Sequence, residues 1–218
     1  MITVIANLKG GSGKSTVAFN LAVWLEKHGR SVVGYDLDPQ CTLSDLGMLR
    51  KEIGNTPYLT IHSVRAVLQE QLRSHNDAEV IVDVGAANMA AMKEAMSAAD
   101  RILIPVPPSQ PDVWATQRFL HIIGPDLNIV KMNGSQQIAA FVNRADTNKA
   151  IRETHETESA LKMLPGIDIV LPHRLKMRTN FRRSLSEGLA VFEMWPRSKA
   201  ACEFRTLAEA LYPDVIEK

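Results

Sequence analysis

Short, nearly continuous apolar runs alternate along this chain with longer stretches in which apolar residues recur every three or four positions. The runs Ile2–Ala6, Ser31–Asp36, Glu79–Val84, Arg101–Val106, Gln137–Val142 and Asp168–Leu171 read as strands. Continuous hydrophobicity is what a strand needs when helices cover both faces of its sheet. The helical period predicts helices over Ser15–His28, Ile61–Leu72, Ala87–Ala98, Asp112–Ile123, Lys149–Leu164 and Lys199–Leu211. In the first of these, Val17, Ala18, Leu21, Ala22 and Leu25 share one face, and Gly29 is placed to end the helix. The stretch "NFRRSLSEG" from Asn180 to Gly188 also reads as helical, and Gly54–Tyr58 as a surface loop. This alternation predicts an α/β fold: a doubly wound, mostly parallel sheet with helices on both faces, in one domain over residues 1–218. Ligands of such sheets sit beyond the C-terminal ends of the strands, so the chemistry is expected there.

Composition narrows the picture only a little. With 45% hydrophobic residues in 218, a sizeable core is available and disorder is not expected. A net charge of +1 names no partner, so any nucleic-acid site must come from local clustering. The two cysteines, Cys41 and Cys202, lie far apart, form no metal motif and suit a reducing cytosol. "MITVIAN" already reads as a first strand, which leaves no room for a leader there, and no apolar run approaches the ~20 residues of a membrane span.

The first strand leads into "NLKGGSGKST", Asn7–Thr16. Its tail fits the phosphate-loop pattern G-x-x-x-x-G-K-[ST], and its setting between strand and helix supports that reading. The glycines Gly10, Gly11 and Gly13, with Ser12, let backbone amides turn towards phosphate oxygens, and the helix N-terminus adds a favourable dipole. Lys14 is expected to reach the β- and γ-phosphates, Ser15 to ligate Mg²⁺, and Thr16 to lie near the α-phosphate. The head of the pattern departs: Leu8 stands where the first glycine belongs, beside an extra lysine, Lys9. From spacing alone, Lys9 is as readily a solvated loop lysine as a functional one. "AEVIVDVG" ends a buried strand in Asp83, where a carboxylate can hold Mg²⁺ directly or through water. "YDLDPQ" puts Asp36 and Asp38 at the end of the second strand, two residues apart and so directed alike. One such carboxylate near the γ-phosphate can orient water, whereas either aspartate alone is more simply a capping residue.

Together these residues resemble the ParA/MinD family of ATPases, in the deviant Walker-A class marked by K-G-G-x-G-K-[ST], matched by Lys9–Ser15. The resemblance continues through "DLDPQ" at Asp36–Gln40, "VIVDVG" at Val80–Gly85, "ADRILIPVPPS" at Ala99–Ser109, "FVNR" at Phe141–Arg144 and "GLAVFE" at Gly188–Glu193. It implies ATP with Mg²⁺ as cofactors, slow partner-stimulated hydrolysis, and a homodimer closed face to face around two ATP molecules. It also implies a role for Lys9, which would cross to the partner's phosphates. By the same resemblance Asp38 is the aspartate needed for hydrolysis and a candidate at the metal, and Asp83 is the Walker-B aspartate. Asn143 matches the residue that reads adenine, Pro172 lies in the loop that packs near the base, and Pro107–Asp112 matches a region close to the dimer contact.

Branches of this family differ in what they bind. A MinD-like branch ends in a basic amphipathic helix that lies on membranes. Here Ala200, Ala201, Phe204, Leu207, Ala208 and Leu211 read as the face of a core helix, so no membrane is expected. The cysteines do not match an iron–sulfur pattern. The ParA branch binds DNA nonspecifically as an ATP dimer, and this chain resembles its small class, which lacks an N-terminal helix-turn-helix. From His173 to Arg205, eight basic residues face three acidic ones, a local +5. Arg182 and Arg183, with Lys199 and Arg205, are the candidate DNA contacts, while Arg174 or Arg178 is open to serving the nucleotide instead. The resemblance further implies a ParB-like partner that stimulates hydrolysis and links a cargo, and a nucleoid-associated cytoplasmic location.

Overall fold

The computed structural model describes residues 1–131, 136–148 and 150–215, with the backbone alone for 125–131. In chain order the elements are β1 (Ile2–Ile5), α1 (Lys14–Lys27), β2 (Val32–Asp36), α2 (Thr42–Glu52), β3 (Thr60–Ser63), α3 (Gln69–Arg73), β4 (Glu79–Asp83) and α4 (Met89–Ala98). Then come β5 (Arg101–Val106), α5 (Gln110–Lys131), β6 (Gln137–Ala145), α6 (Glu153–Met163), β7 (Ile169–Val170), β8 (Leu175–Lys176), α7 (Thr179–Leu185), α8 (Val191–Met194) and α9 (Lys199–Leu211). The strands form one sheet in the order β3-β2-β4-β1-β5-β6-β7, with β8 also against β6. Every pairing among the described residues is parallel.

The continuous apolar runs are explained by two cores, one on each face. Ile5, Ile81, Leu103 and Phe141 point into a core shared with α1, α2 and α7–α9. Their strand neighbours Val4, Val80, Val82, Ile104 and Ala140 point into the other, shared with α3–α6. Because successive side chains alternate faces, a strand buried on both sides must be apolar at every position. The apolar face of α9 is fully inside the first core: Ala200, Ala201, Phe204, Leu207 and Ala208 are all 0% exposed.

One predicted helix is corrected. Ile61–Leu72 is not helical throughout: its start forms strand β3, and only Gln69–Arg73 is helix. Ile61, Val64, Leu68 and Leu72 mimic a helical stripe, but Thr60–Ser63 pairs in parallel with β2, from Val33↔Thr60 to Asp36↔Ser63. Long-range pairing overrode the local period. The strand β8 and the helices α2 and α8 have no counterpart among the predicted elements. The predicted loop at Gly54–Tyr58 is a loop, and residue 149, where one predicted helix begins, lies outside the described residues.

Helix α2 is fastened to the far end of the chain. Arg50 is 0% exposed. Its guanidinium forks onto Glu193 at 2.7 and 2.9 Å and also donates to the carbonyls of Thr56, Pro57 and Gly188. Gly188 is bare for this reason, since a Cβ there would come within 2.8 Å of the Arg50 Cα. The "GLAVFE" segment therefore braces the helix that follows Asp38.

Candidate functional site

The C-terminal ends of β1, β2, β4, β5 and β6 converge on the loop between β1 and α1. Asn7 shapes its entry: the buried amide donates to Pro105 O at 2.9 Å and accepts from Lys9 N at 3.0 Å. Gly11 and Gly13 have φ of +76° and +91°, the region where glycine carries no steric penalty. At Gly13 a side chain is doubly excluded, because a Cβ would lie 2.4 Å from the Asn143 amide nitrogen. Beside this loop opens a cavity of about 640 Å³. Gly10, Gly11, Gly13, Lys14, Ser15 and Thr16 form one side of it, and Asp38 and Asn143 border it. Its other wall runs from Leu175 through Lys176, Met177 and Arg178 to Arg182.

Lys14 is buried at 6% exposure at the first residue of α1. Ser12 is fully buried, with no hydrogen-bond partner for its hydroxyl among the described residues. Lys9 does not border the cavity. Its ammonium lies 3.2 Å from Asp112 Oδ2, at the start of α5, and the Ser109 hydroxyl donates to that same carboxylate. The region Pro107–Asp112 is thus the resting place of the extra lysine.

Asp83 ends β4 with both carboxylate oxygens buried and, among the described residues, without a hydrogen-bond partner. Burial first, then the neighbouring Asp36 and Asp38 charges, push its pKa up to about 7, against the pull of Ser15 and Lys14. Ser15 is near enough to act on the charge but makes no well-formed hydrogen bond to either oxygen. An orphaned carboxylate beside a serine hydroxyl and a phosphate loop fits a hard divalent cation, which takes oxygen ligands. The sign of its pH effect follows. The folded pKa lies above the ordinary ~3.9, so the nucleotide-free fold loses stability as pH rises from 4 to 7, and the penalty is full above 7. Asp83→Asn, melted without metal or nucleotide, is therefore expected to gain a few degrees over the native chain at pH 8, a difference that shrinks towards pH 4.

Asp36 does not face the cavity. Its buried carboxylate accepts from Ser44 N at 2.8 Å and from Asp38 N at 3.1 Å, tying α2 to the turn. Asp38, past the strand end, borders the cavity; Oδ1 accepts from Gln40 N at 2.9 Å, and the carboxylate rests over Gly85. A Cβ on Gly85 would come within 2.5–2.7 Å of it.

Of the residues expected near the base, Asn143 borders the cavity and donates from its amide to Ser12 O at 2.6 Å. Pro172 is exposed and does not border it; Leu175–Arg178, three to six residues further on, does. The shift follows from β8, which turns that stretch alongside β6. Sequence reading missed Lys176, Met177 and Arg144 as cavity residues, although "FVNR" ends in the last of them. Among the basic residues, Arg174 pairs with Glu158 and Arg178 with Glu203. Arg205 donates to Pro196 O at 2.7 Å, while Arg183 and Lys199 are exposed. Arg182 is exposed too, on the cavity rim. Both cysteines are free. Among the described residues, no helix is long and apolar enough to cross a membrane.

A family model described as the CobQ/CobB/MinD/ParA nucleotide binding domain matches residues 3–191. The maintenance of carboxysome distribution protein A of Halothiobacillus neapolitanus is 30% identical over 204 residues, 91% of this chain and 90% of that protein. Apo McdA from Cyanothece superposes with a TM-score of 0.74 at 22% identity, covering 96% of this chain and 98% of the other. An McdA variant in complex with ATP gives 0.71 at 20%, covering 96% and 95%. Cobyrinic acid a,c-diamide synthase from Mycobacterium smegmatis, with bound ADP and magnesium, gives 0.70 at 18%, covering 96% and 93%. At these identities the solved structures establish a shared fold.

Proposed function

The chain belongs to the CobQ/CobB/MinD/ParA nucleotide-binding family, and on that premise we propose that it is a ParA-type ATPase. It binds ATP with Mg²⁺, closes into a dimer around two ATP molecules, holds DNA without regard to sequence, and positions a cargo through a stimulating partner protein. Ser15 and Asp83 hold the Mg²⁺, with Asp38 nearby, and the bound ion neutralises phosphate charge and fixes phosphate geometry. Lys14 and the amides of Gly10–Thr16 grip the phosphates, and Asn143 flanks the base.

The observation that carries this reading is Lys9. It stands outside its own cavity, held by Asp112, while Lys14 already serves that cavity. A half-exposed ammonium beside the loop, outside its own cavity, is available to a second triphosphate facing it. There it gains charge-assisted hydrogen bonds only when two subunits meet, as an arginine finger does in trans. The membrane alternative is disfavoured by α9, whose apolar face is already covered by the core. The relative named for carboxysome distribution supports a protein assembly as cargo.

The DNA surface is centred on α7. Arg183 and Lys199 are exposed and, among the described residues, carry no ion pair. A dimer doubles this patch and links two weak sites. Filter binding to random duplex is expected to require a nonhydrolysable ATP analogue and to weaken roughly tenfold or more between low and physiological salt. Arg183→Ala combined with Lys199→Ala is expected to lose DNA while keeping nucleotide, because neither side chain borders the cavity. Arg182→Ala confounds the two, since Arg182 does border it. Binding without nucleotide, or to one sequence only, contradicts the proposal.

A further inference from the structure

At its end, β6 breaks register. Its pairing with β8 passes from Asn143↔Leu175 to Ala145↔Lys176, so Arg144 is the extra residue of a bulge. Its φ is +57°, a left-handed conformation that is sterically costly for a residue with a Cβ. Bulges bend a strand and re-aim a side chain, and they gather beside functional sites. Here the re-aimed guanidinium donates to Gly11 O at 2.6 Å. The preceding Asn143 donates to Ser12 O at 2.6 Å. Two consecutive residues at one strand end thus hold two consecutive carbonyls of the phosphate loop.

In a planar trans peptide the C=O and the following N–H point in opposite directions. Holding Gly11 O towards Arg144 therefore turns Ser12 N–H away from it, and holding Ser12 O does the same for Gly13 N–H. These are amides of the loop that a phosphate must find already oriented. We propose that Arg144 is a positioning residue of the phosphate loop, fixing the Gly11–Ser12 peptide plane before nucleotide arrives. Arg144 is not a fold support. It is exposed, its guanidinium's hydrogen bond among the described residues is to a glycine-rich loop, and its own backbone is strained. The arrangement keeps local strain at a site where orientation matters. This inference rests on the reading of the cavity as an ATP site.

The strain supplies the test. Arg144→Gly relieves the left-handed backbone and removes the guanidinium, so stability and nucleotide affinity are expected to move in opposite directions. The melting temperature without nucleotide should hold or rise. Dissociation of a fluorescent ATP analogue should quicken about tenfold, as the loss of one charge-assisted hydrogen bond implies. Turnover at saturating ATP should change little, so the effect appears in KM rather than kcat. Arg144→Lys, which keeps one donor able to reach the carbonyl, should recover part of the affinity. Wild-type dissociation kinetics in Arg144→Gly, or an affinity loss that only follows a fall in melting temperature, overturns the inference. A native chain that binds no ATP analogue overturns the ATP reading itself, and this inference with it.

Discussion

Lys14→Ala is expected to lose ATP binding, with affinity for a fluorescent ATP analogue falling on the order of 100-fold or more. Lys14 is buried at 6% exposure, at the first residue of α1, on the wall of the cavity. Removing one member of a buried, desolvated charge pair costs about 3–5 kcal/mol, because the phosphate oxygens then lie in a low-dielectric site without their cation. The fold is expected to survive, since alanine is the best helix former and Lys14 belongs to a helix whose packing rests on Val17, Leu21 and Leu25. A second effect follows from Asp83, whose raised pKa is partly restrained by Lys14. Without that cation the Asp83 carboxyl is pushed higher still, so it would offer an anionic ligand to Mg²⁺ less readily at neutral pH. Titration of the analogue, with circular dichroism to verify the fold, checks both points. An affinity within a few-fold of the native chain would remove Lys14 from the phosphate site.

Asp38→Ala is expected to keep ATP and lose turnover by about 10²–10⁴-fold, the range for removal of a group that positions or activates water. Asp36 is the wrong aspartate for this work, engaged by Ser44 N and Asp38 N beneath the turn. Asp38 borders the cavity and has one oxygen held by Gln40 N. Its carboxylate lies over Gly85, two residues after Asp83, so the two acids are placed by adjacent strand ends. Phosphate release at saturating ATP measures the loss, and equilibrium binding shows that affinity is retained. Native turnover in Asp38→Ala would assign the water to another residue.

The sheet was largely legible in the sequence, for a reason visible at particular residues. Strands such as Arg101–Val106 are apolar at nearly every position because Ile102 and Leu103 enter opposite cores. The turn between β1 and α1 was legible because its glycines supply the left-handed φ that Gly11 and Gly13 adopt there. The misread segment, Ile61–Leu72, carries a helical stripe by coincidence, and only its partner β2, far away in sequence, makes its start a strand. Helix α2 carries too few apolar residues to show a period; Leu43 and Leu46 are buried, and much of its fastening comes from one arginine, Arg50. The rear wall of the cavity was hidden for a similar reason. Lys176 reads as part of a basic surface and Met177 carries no signal at all until β8 lays them beside β6. The partition of charge was also invisible, since Arg174 and Arg178 are matched by Glu158 and Glu203, both distant in sequence.

Everything proposed here beyond nucleotide binding depends on Lys9 leaving Asp112 for a second subunit's ATP. The most direct measurement is molar mass by light scattering, with Mg²⁺ and a nonhydrolysable ATP analogue, on the native chain and on Lys9→Ala. The native chain is predicted to shift from its monomer mass of 24.1 kDa to twice that value on adding the analogue. Lys9→Ala should bind the analogue, because Lys14 and the loop amides are intact, and stay monomeric. A Lys9→Ala chain that dimerises like the native one, or a native chain that stays monomeric with the analogue bound, would contradict the account.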